Sequence, residues 1–228
     1  MSDTPPLVMR LLRALIATAV EAALLAWGLG GFDALARSPR ALALLLVWFT
    51  TGAVLTVTRP VRGQEVARAE KDATVMLVLA LVPLAIPGLA AWGGRRAWWP
   101  LPFAETIGWV GVALSALGLA LRVAAMRQLG ARFSPLVALQ RDHTLETTGW
   151  YARVRHPGYT GALLASLGAA VTFGSALALP LVAIMLLAQS ARIRREEALL
   201  AERFGDTWRA YAARTGALWP RLGGAPRP

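Results

Sequence analysis

Cysteine is absent from the 228 residues, and histidine occurs only twice, at His143 and His156. The first absence excludes disulfides, thiolate nucleophiles and cysteine-bound metal. Two histidines are too few for a histidine-rich metal centre. Acidic residues are scarce as well, 13 against 24 Lys and Arg, which leaves a formal charge of +11. In a soluble protein that excess would suggest nucleic acid. Here long apolar runs separate the arginines, and a membrane protein collects cytoplasmic cations to orient itself, so nucleic acid is set aside as a partner.

What the chain has instead is hydrocarbon. It is 56% hydrophobic with a mean hydropathy of +0.51, too apolar for a water-soluble domain of this length. Lipid offers no partner to backbone N–H and C=O groups, so sustained apolar runs must be helices. Five stand out: 14–32, 41–57, 73–92, 107–121 and a longer one over 159–193. The first follows Arg10 and Arg13 as a secretory signal would, but continues to about Phe32 with more spans behind it, and is expected to remain as an uncleaved helix. The last is too long for one span at about 1.5 Å per residue, and Phe173, Gly174, Ser175 and Pro180 interrupt it. A tight helical hairpin resolves it. The expected fold is all-α, a polytopic membrane bundle of about six transmembrane helices with a C-terminal helical hairpin. It divides into residues 1–125, carrying spans 1 to 4, and a C-terminal region over 126–228.

The cations support that number independently. With the N-terminus inside, the inside segments hold two, four, six and eight of them, 20 in all, and the outside loops hold Arg37, Arg40, Arg95 and Arg96. Twenty against four places both termini in the cytoplasm. Trp92, Trp98 and Trp99 beside Arg95 and Arg96 suit an interfacial belt. Pro83 and Pro87 would kink the third span. Gly108, Gly111, Ser115 and Gly118 give the fourth a small-residue packing face. Glu21 stands apart, because a carboxylate in mid-span costs on the order of 2.5 to 3.5 kcal/mol and is usually paired or functional.

Two polar segments flank the hairpin, and its turn brings them together. The first runs His143-Thr144-Leu145-Glu146, then Gly149-Trp150-Tyr151 and Arg155-His156-Pro157-Gly158-Tyr159-Thr160-Gly161. The second runs Arg192-Ile193-Arg194-Arg195-Glu196-Glu197-Ala198-Leu199-Leu200, then Phe204-Gly205 and Tyr211. These elements, in this order over about residues 140–220, resemble the isoprenylcysteine carboxyl methyltransferase family and, more loosely, the phospholipid N-methyltransferases. Trp150 departs from the proline or small apolar residue common there, and Leu218-Trp219-Pro220 is less basic than the usual pattern. The first four spans match no motif.

The resemblance implies S-adenosyl-L-methionine as methyl donor in a cytoplasmic cofactor site, a lipophilic or prenylated acceptor that enters laterally from the bilayer, and membrane lipids as partners. Carried over by position, it makes His143, Thr144, Leu145, Glu146, Tyr151, His156, Pro157, Gly158, Tyr159 and Glu196 cofactor-binding, and Arg192 the residue that receives the acceptor's carboxylate; no metal is implied. The chemistry of the residues agrees. Arg192 and Glu196 share a helix face, and a guanidinium offers a carboxylate two parallel donors. A carboxylate with an ordinary pKa near about 4 is already ionised at neutral pH, so its esterification needs orientation and desolvation rather than a base.

Read singly, each element has a plainer explanation. Arg192, Arg194 and Arg195 could snorkel to headgroups, His156-Pro157 could simply start a helix, and Glu196, Glu197 and Glu202 could be a solvated face. A lipid amine or a small thiol could take the methyl group instead, in which case His143, His156 or Tyr159 must serve as base. A transporter or scaffold without catalysis would use Glu21 and the prolines of the third span. The sequence leaves the oligomeric state open.

Overall fold

A computed structural model describes residues 7–58, 66–70, 73–130, 137–140 and 145–221. Seven helices follow one another: α1 (Leu7–Leu29), the single-turn α2 (Phe32–Ala36), α3 (Pro39–Thr58), α4 (Ala73–Arg95), α5 (Ala104–Leu129), α6 (Pro157–Val171) and α7 (Leu179–Arg214). Two strands that the apolar runs do not announce, β1 (Val66–Glu70) and β2 (Val137–Gln140), pair antiparallel with Glu70 opposite Val137. They tie the α3–α4 connection to the α5–α6 connection.

The expected spans 41–57, 73–92 and 107–121 fall within α3, α4 and α5, whereas 14–32 overruns α1, which ends at Leu29 before Gly30 and Gly31 turn the chain into α2. Of these, α4 and α5 are long and apolar enough to cross a membrane, and α3 carries a shorter apolar stretch over Pro39–Leu55. Large apolar side chains on the outer faces, among them Ile16, Leu46, Leu81, Leu117 and Leu187, are exposed. Continuous cover of that kind belongs against lipid rather than water. Helix α4 continues through Pro83 and Pro87 as one helix.

The long apolar run divides where expected. Helix α6 ends at Val171 and α7 begins at Leu179, with Pro180 in its first turn. Gly174 turns the chain with φ +70°, and a Cβ there would lie 2.6 Å from that of Ala104, so conformation and space both call for glycine. Beyond the apolar part α7 keeps going, 36 residues in all, and bends only at Gly205 (φ 52°, ψ −123°).

The small-residue face of α5 makes the most extensive helix–helix seam in the bundle. Gly108, Gly111, Ser115 and Gly118 are all buried, and they meet Gly161, Ala165 and Gly168 of α6 and its C-cap residue Thr172. A Cβ on Gly118 would come within 2.5 Å of the Ala165 nitrogen, and one on Gly111 within 2.6 Å of the Gly168 carbonyl. Ser115 Oγ donates to the Ala165 carbonyl at 2.6 Å. Backbones this close gain dispersion and dipolar contact that lipid cannot match. Helices from both halves of the chain share the main apolar cluster, in which Ile86 and Ala90 of α4 pack with Leu163, Ala169 and Ala170 of α6 and Val182 of α7. The boundary expected at residue 125 falls inside α5.

Candidate functional site

The two ends of the α6–α7 hairpin are fixed by different chemistry. At the turn, the backbone docks on the α4–α5 loop: Leu101 N–H donates to the Gly174 carbonyl and Ala176 N–H to that of Trp99, both at 2.9 Å, and Ser175 Oγ donates to the Trp98 carbonyl at 2.6 Å. Trp27, Trp92 and Trp98 gather there, and Arg95 Nε reaches back to the Gly28 carbonyl at 3.0 Å. With the turn fixed, the start of α6 and the latter half of α7 lie together at the opposite end.

That end is built on the Arg155-His156-Pro157 sequence. Pro157 occupies the first turn of α6, where its missing N–H costs nothing, and His156 is the N-cap residue. The chain after α7 then folds back over this start. Arg155 and His156 N–H donate to the Gly216 and Ala217 carbonyls at 2.9 and 3.0 Å, and the Thr160 hydroxyl donates to the Leu218 carbonyl at 2.7 Å. The Arg155 side chain adds bonds to the Ala212 carbonyl, at 3.1 Å, and to that of Thr215.

Neighbouring carboxylates on α7 point about 100° apart around the helix and serve different partners. Glu197 Oε1 lies 2.8 Å from Arg155 Nε and 3.0 Å from His156 Nε2. Burial works against its charge, but the hydrogen bonds from His156 and Arg155 outweigh it and hold the carboxyl down at about 2. Glu196 Oε2 instead accepts the Tyr159 hydroxyl at 3.0 Å. The same hydroxyl accepts from Arg192 Nε at 2.5 Å. The Arg192 side chain is buried, and its Nη1 donates to the Met76 thioether at 2.8 Å. Sulfur of this kind is a weak acceptor, one that a carboxylate oxygen would displace.

Tyr159 also lines a cavity of about 310 Å³ between the helices, together with Glu21, Arg122, Ser166 and Gln189 among mostly apolar neighbours. Arg122 Nη1 donates to the Gly158 carbonyl at 3.0 Å. A Cβ built on Gly158 would meet nothing within 4 Å, so this stretch presents open backbone.

The structure therefore unites Arg192, Tyr159 and Glu196 in one hydrogen-bonded array, with His156, Pro157 and Gly158 on the same helix start. His156 is held on several sides: its ring by Glu197, its N–H by the Ala217 carbonyl and its carbonyl by the Tyr159 and Thr160 N–H groups. Leu145, Glu146 and Tyr151 form a separate loop against the end of α5. There Glu146 Oε1 takes the Thr148 N–H at 3.0 Å and Gln128 Nε2 at 3.4 Å. Tyr151 is buried, and its carbonyl accepts the Tyr211 hydroxyl at 2.7 Å. Burial, more than any charge, raises that Tyr211 phenol to about 12. His143 and Thr144 lie outside the described residues. Arg155, Glu197, Arg122, Gln189 and Met76 were not among the expected site residues. Only the doubled Glu196-Glu197 following Arg155-His156 held a signal for any of them.

Residues 110–202 match the sequence profile of the isoprenylcysteine carboxyl methyltransferase (ICMT) family. The protein-S-isoprenylcysteine O-methyltransferase B of Arabidopsis thaliana is 33% identical over 151 residues, which cover 62% of this chain and 70% of that one. The chain belongs to the isoprenylcysteine carboxyl methyltransferase family. The protein-S-isoprenylcysteine O-methyltransferase of Schizosaccharomyces pombe is 43% identical over 98 residues, 42% of each chain, so less than half of that relative is spanned. The fold is shared with the solved eukaryotic intramembrane Ras methyltransferase ICMT, at a TM-score of 0.59 and 21% identity over 89% of this chain and 74% of that one. The segment matched to the ICMT family runs from within α5 to within α7, so it contains Gly111, Ser115 and Gly118 of the seam, the docked turn, Arg192, Glu196 and Glu197.

Proposed function

We propose that this ICMT-family chain is an integral-membrane carboxyl methyltransferase that uses S-adenosyl-L-methionine and esterifies a lipophilic, prenylcysteine-like acceptor. The observation that carries the proposal is Arg192: a buried guanidinium, braced by Tyr159 and directed at a thioether, beside a cavity within the bundle. Such a group receives a carboxylate with two donors and little loss of side-chain freedom.

The residues present suit the methyl donor. Open backbone at Gly158 leaves room beside the start of α6, and Glu196 offers negative charge one hydrogen bond from Tyr159. His143, Thr144, Leu145, Glu146, Tyr151, His156, Pro157, Gly158, Tyr159 and Glu196 would hold it. When bound, S-adenosyl-L-methionine supplies a methyl group on a sulfonium sulfur. Arg192 orients the acceptor's carboxylate toward that methyl group, Tyr159 fixes Arg192, and the surrounding helices strip water from the ionised oxygen. No base is required. An amine acceptor would need one, and among the described residues the two groups expected for that role are committed elsewhere: His156 to Glu197, and the Tyr159 hydroxyl between Arg192 and Glu196. Those contacts favour the carboxylate over a lipid amine.

The proposed topology has six spans, α1, α3, α4, α5, α6 and the first part of α7, with both termini cytoplasmic. The distribution of 20 cations against four supports it, as does the gathering of tryptophans at the end away from Arg192. Residues 126–228 would form the catalytic region, with the earlier helices shaping the acceptor's path. The test is incubation of the purified chain with methyl-labelled S-adenosyl-L-methionine and prenylcysteine, phospholipid and thiol acceptors. Base-labile label on the prenylcysteine acids is expected. Label on headgroup amines alone would replace the proposal.

A further inference from the structure

Two elements hold the Arg192 side chain. From α6 the Tyr159 hydroxyl accepts from Nε, and the guanidinium carbon lies 5.8 Å from the centre of the Tyr159 ring. From α4, which packs on α7, Met76 Sδ accepts from Nη1 at 2.8 Å. Met76 stands near the start of α4 and is half-buried, whereas Met126 and Met185 are buried. The residue is thus partly open to solutes, while its sulfur touches the group assigned to the acceptor. A buried guanidinium needs acceptors for its donors, and a thioether is a weak one, so an incoming carboxylate displaces it. One added oxygen reverses that order. A sulfoxide oxygen carries partial negative charge, and a guanidinium binds it far more tightly than it binds sulfur. The flexible methionine side chain lets that oxygen settle where the sulfur lay.

We propose that Met76 is an oxidation site, and that its sulfoxide oxygen occupies Arg192 in place of the acceptor's carboxylate and turns the enzyme off reversibly. This rests on the assignment of Arg192 to the acceptor. The oxidant is hydrogen peroxide. The second lone pair of the sulfur attacks one peroxide oxygen, the O–O bond breaks as the S–O bond forms, and the proton on the transferred oxygen passes to the departing one, which leaves as water. Sulfur loses two electrons and the peroxide gains them. Arg192 favours the product by engaging the new oxygen. Thiol-dependent reduction of the sulfoxide restores the thioether.

Binding tests this independently of turnover. The full chain, purified in detergent, is exposed to hydrogen peroxide, freed of it and then loaded with S-adenosylhomocysteine. Peptide mass spectrometry reads the oxygen gained at Met76, and titration reads affinity for N-acetyl-S-farnesylcysteine and for its methyl ester, which has no carboxylate. As Met76 oxidises, affinity for the acid should fall about tenfold or more, while affinity for the ester and for S-adenosylhomocysteine stays within about twofold. Methionine sulfoxide reductases acting on both epimers should restore the acid's affinity. Met76→Leu should keep through the same treatment whatever affinity it starts with, and Met76→Val serves if the leucine variant no longer binds S-adenosylhomocysteine. Met76→Gln, which carries an amide oxygen, should weaken the acid selectively without peroxide. Equal loss of acid and ester, a loss that the leucine and valine variants share, or full oxidation of Met76 without effect would each overturn the proposal. So would a Met76 that resists peroxide while the exposed Met9 is oxidised, or no binding of either ligand by the untreated chain. Methyl transfer is read separately. Transfer that survives complete oxidation of Met76 sinks the proposal and keeps the methyltransferase, whereas acid-selective weakening in a chain that transfers nothing keeps the contact and sinks the methyltransferase.

Discussion

The α6–α7 hairpin has one end closed by backbone and another closed by charge. At the turn, Gly174, Ser175 and Ala176 dock on the loop carrying Trp98 and Trp99 through carbonyls, N–H groups and one hydroxyl. At the other end Arg155, His156 and Glu197 form a clamp, and Arg192, Tyr159 and Glu196 form a second array one residue further around the helix. Backbone contacts fix geometry and nothing else. Ionised groups in a half-buried setting also store electrostatic potential that a bound ligand can use, which is why the proposed methyl transfer is assigned to the second end. The α5–α6 seam joins the two ends and keeps them in register.

If that division of labour is real, substitutions should separate stability from transfer. The largest effect on folding is expected from the seam. Gly118→Leu drives a side chain into the Ala165 backbone and should cost about 3 kcal/mol or more, seen as loss of monodisperse protein or a large fall in thermal midpoint. Next comes the clamp: Glu197→Ala removes the shared partner of Arg155 and His156 and should cost about 1 to 2 kcal/mol at neutral pH. Its pH dependence follows in sign. The carboxyl is held at about 2 against an ordinary 4.5, so its contribution is present above pH 4.5 and fades as pH falls toward 2. The gap between wild type and Glu197→Ala should therefore narrow over that range in thermal unfolding followed by circular dichroism. The smallest is Ser175→Ala at the turn, about 1 kcal/mol, with kcat/KM of the folded fraction unchanged. A transfer defect there, out of proportion to unfolding, would break the contrast between the ends.

Much of this was legible in the sequence where a rule counts residues. The 159–193 run exceeds one span, and Gly174 and Pro180 mark its fold. The spacing of Gly111, Ser115 and Gly118 sets them on one face, and Pro157 marks a helix start. That the segments holding Tyr159, Arg192 and Glu196 come together followed from the hairpin, but the Tyr159 hydroxyl bonded to both of the others did not. Contacts that depend on rotation between distant elements left no such trace. Glu197 meets Arg155 across 42 residues, and nothing in adjacent glutamates says which one turns to the clamp. Gln189 is a lone amide in an apolar run, with no period to single it out. The β1–β2 ribbon is built from strands of five and four residues, too short a pattern to stand out from the loops around them.

The central claim is that Arg192 receives the acceptor rather than the methyl donor. Arg192→Ala, with Arg192→Lys beside it, should be compared with wild type for S-adenosyl-L-methionine affinity and for methyl transfer to a prenylcysteine acid. Expected is an affinity for the donor within about threefold of wild type together with a loss of transfer of at least about a hundredfold, and only partial recovery in the lysine variant, which lacks the planar fork. Parallel loss of donor binding and transfer, or transfer that survives the alanine, would contradict it.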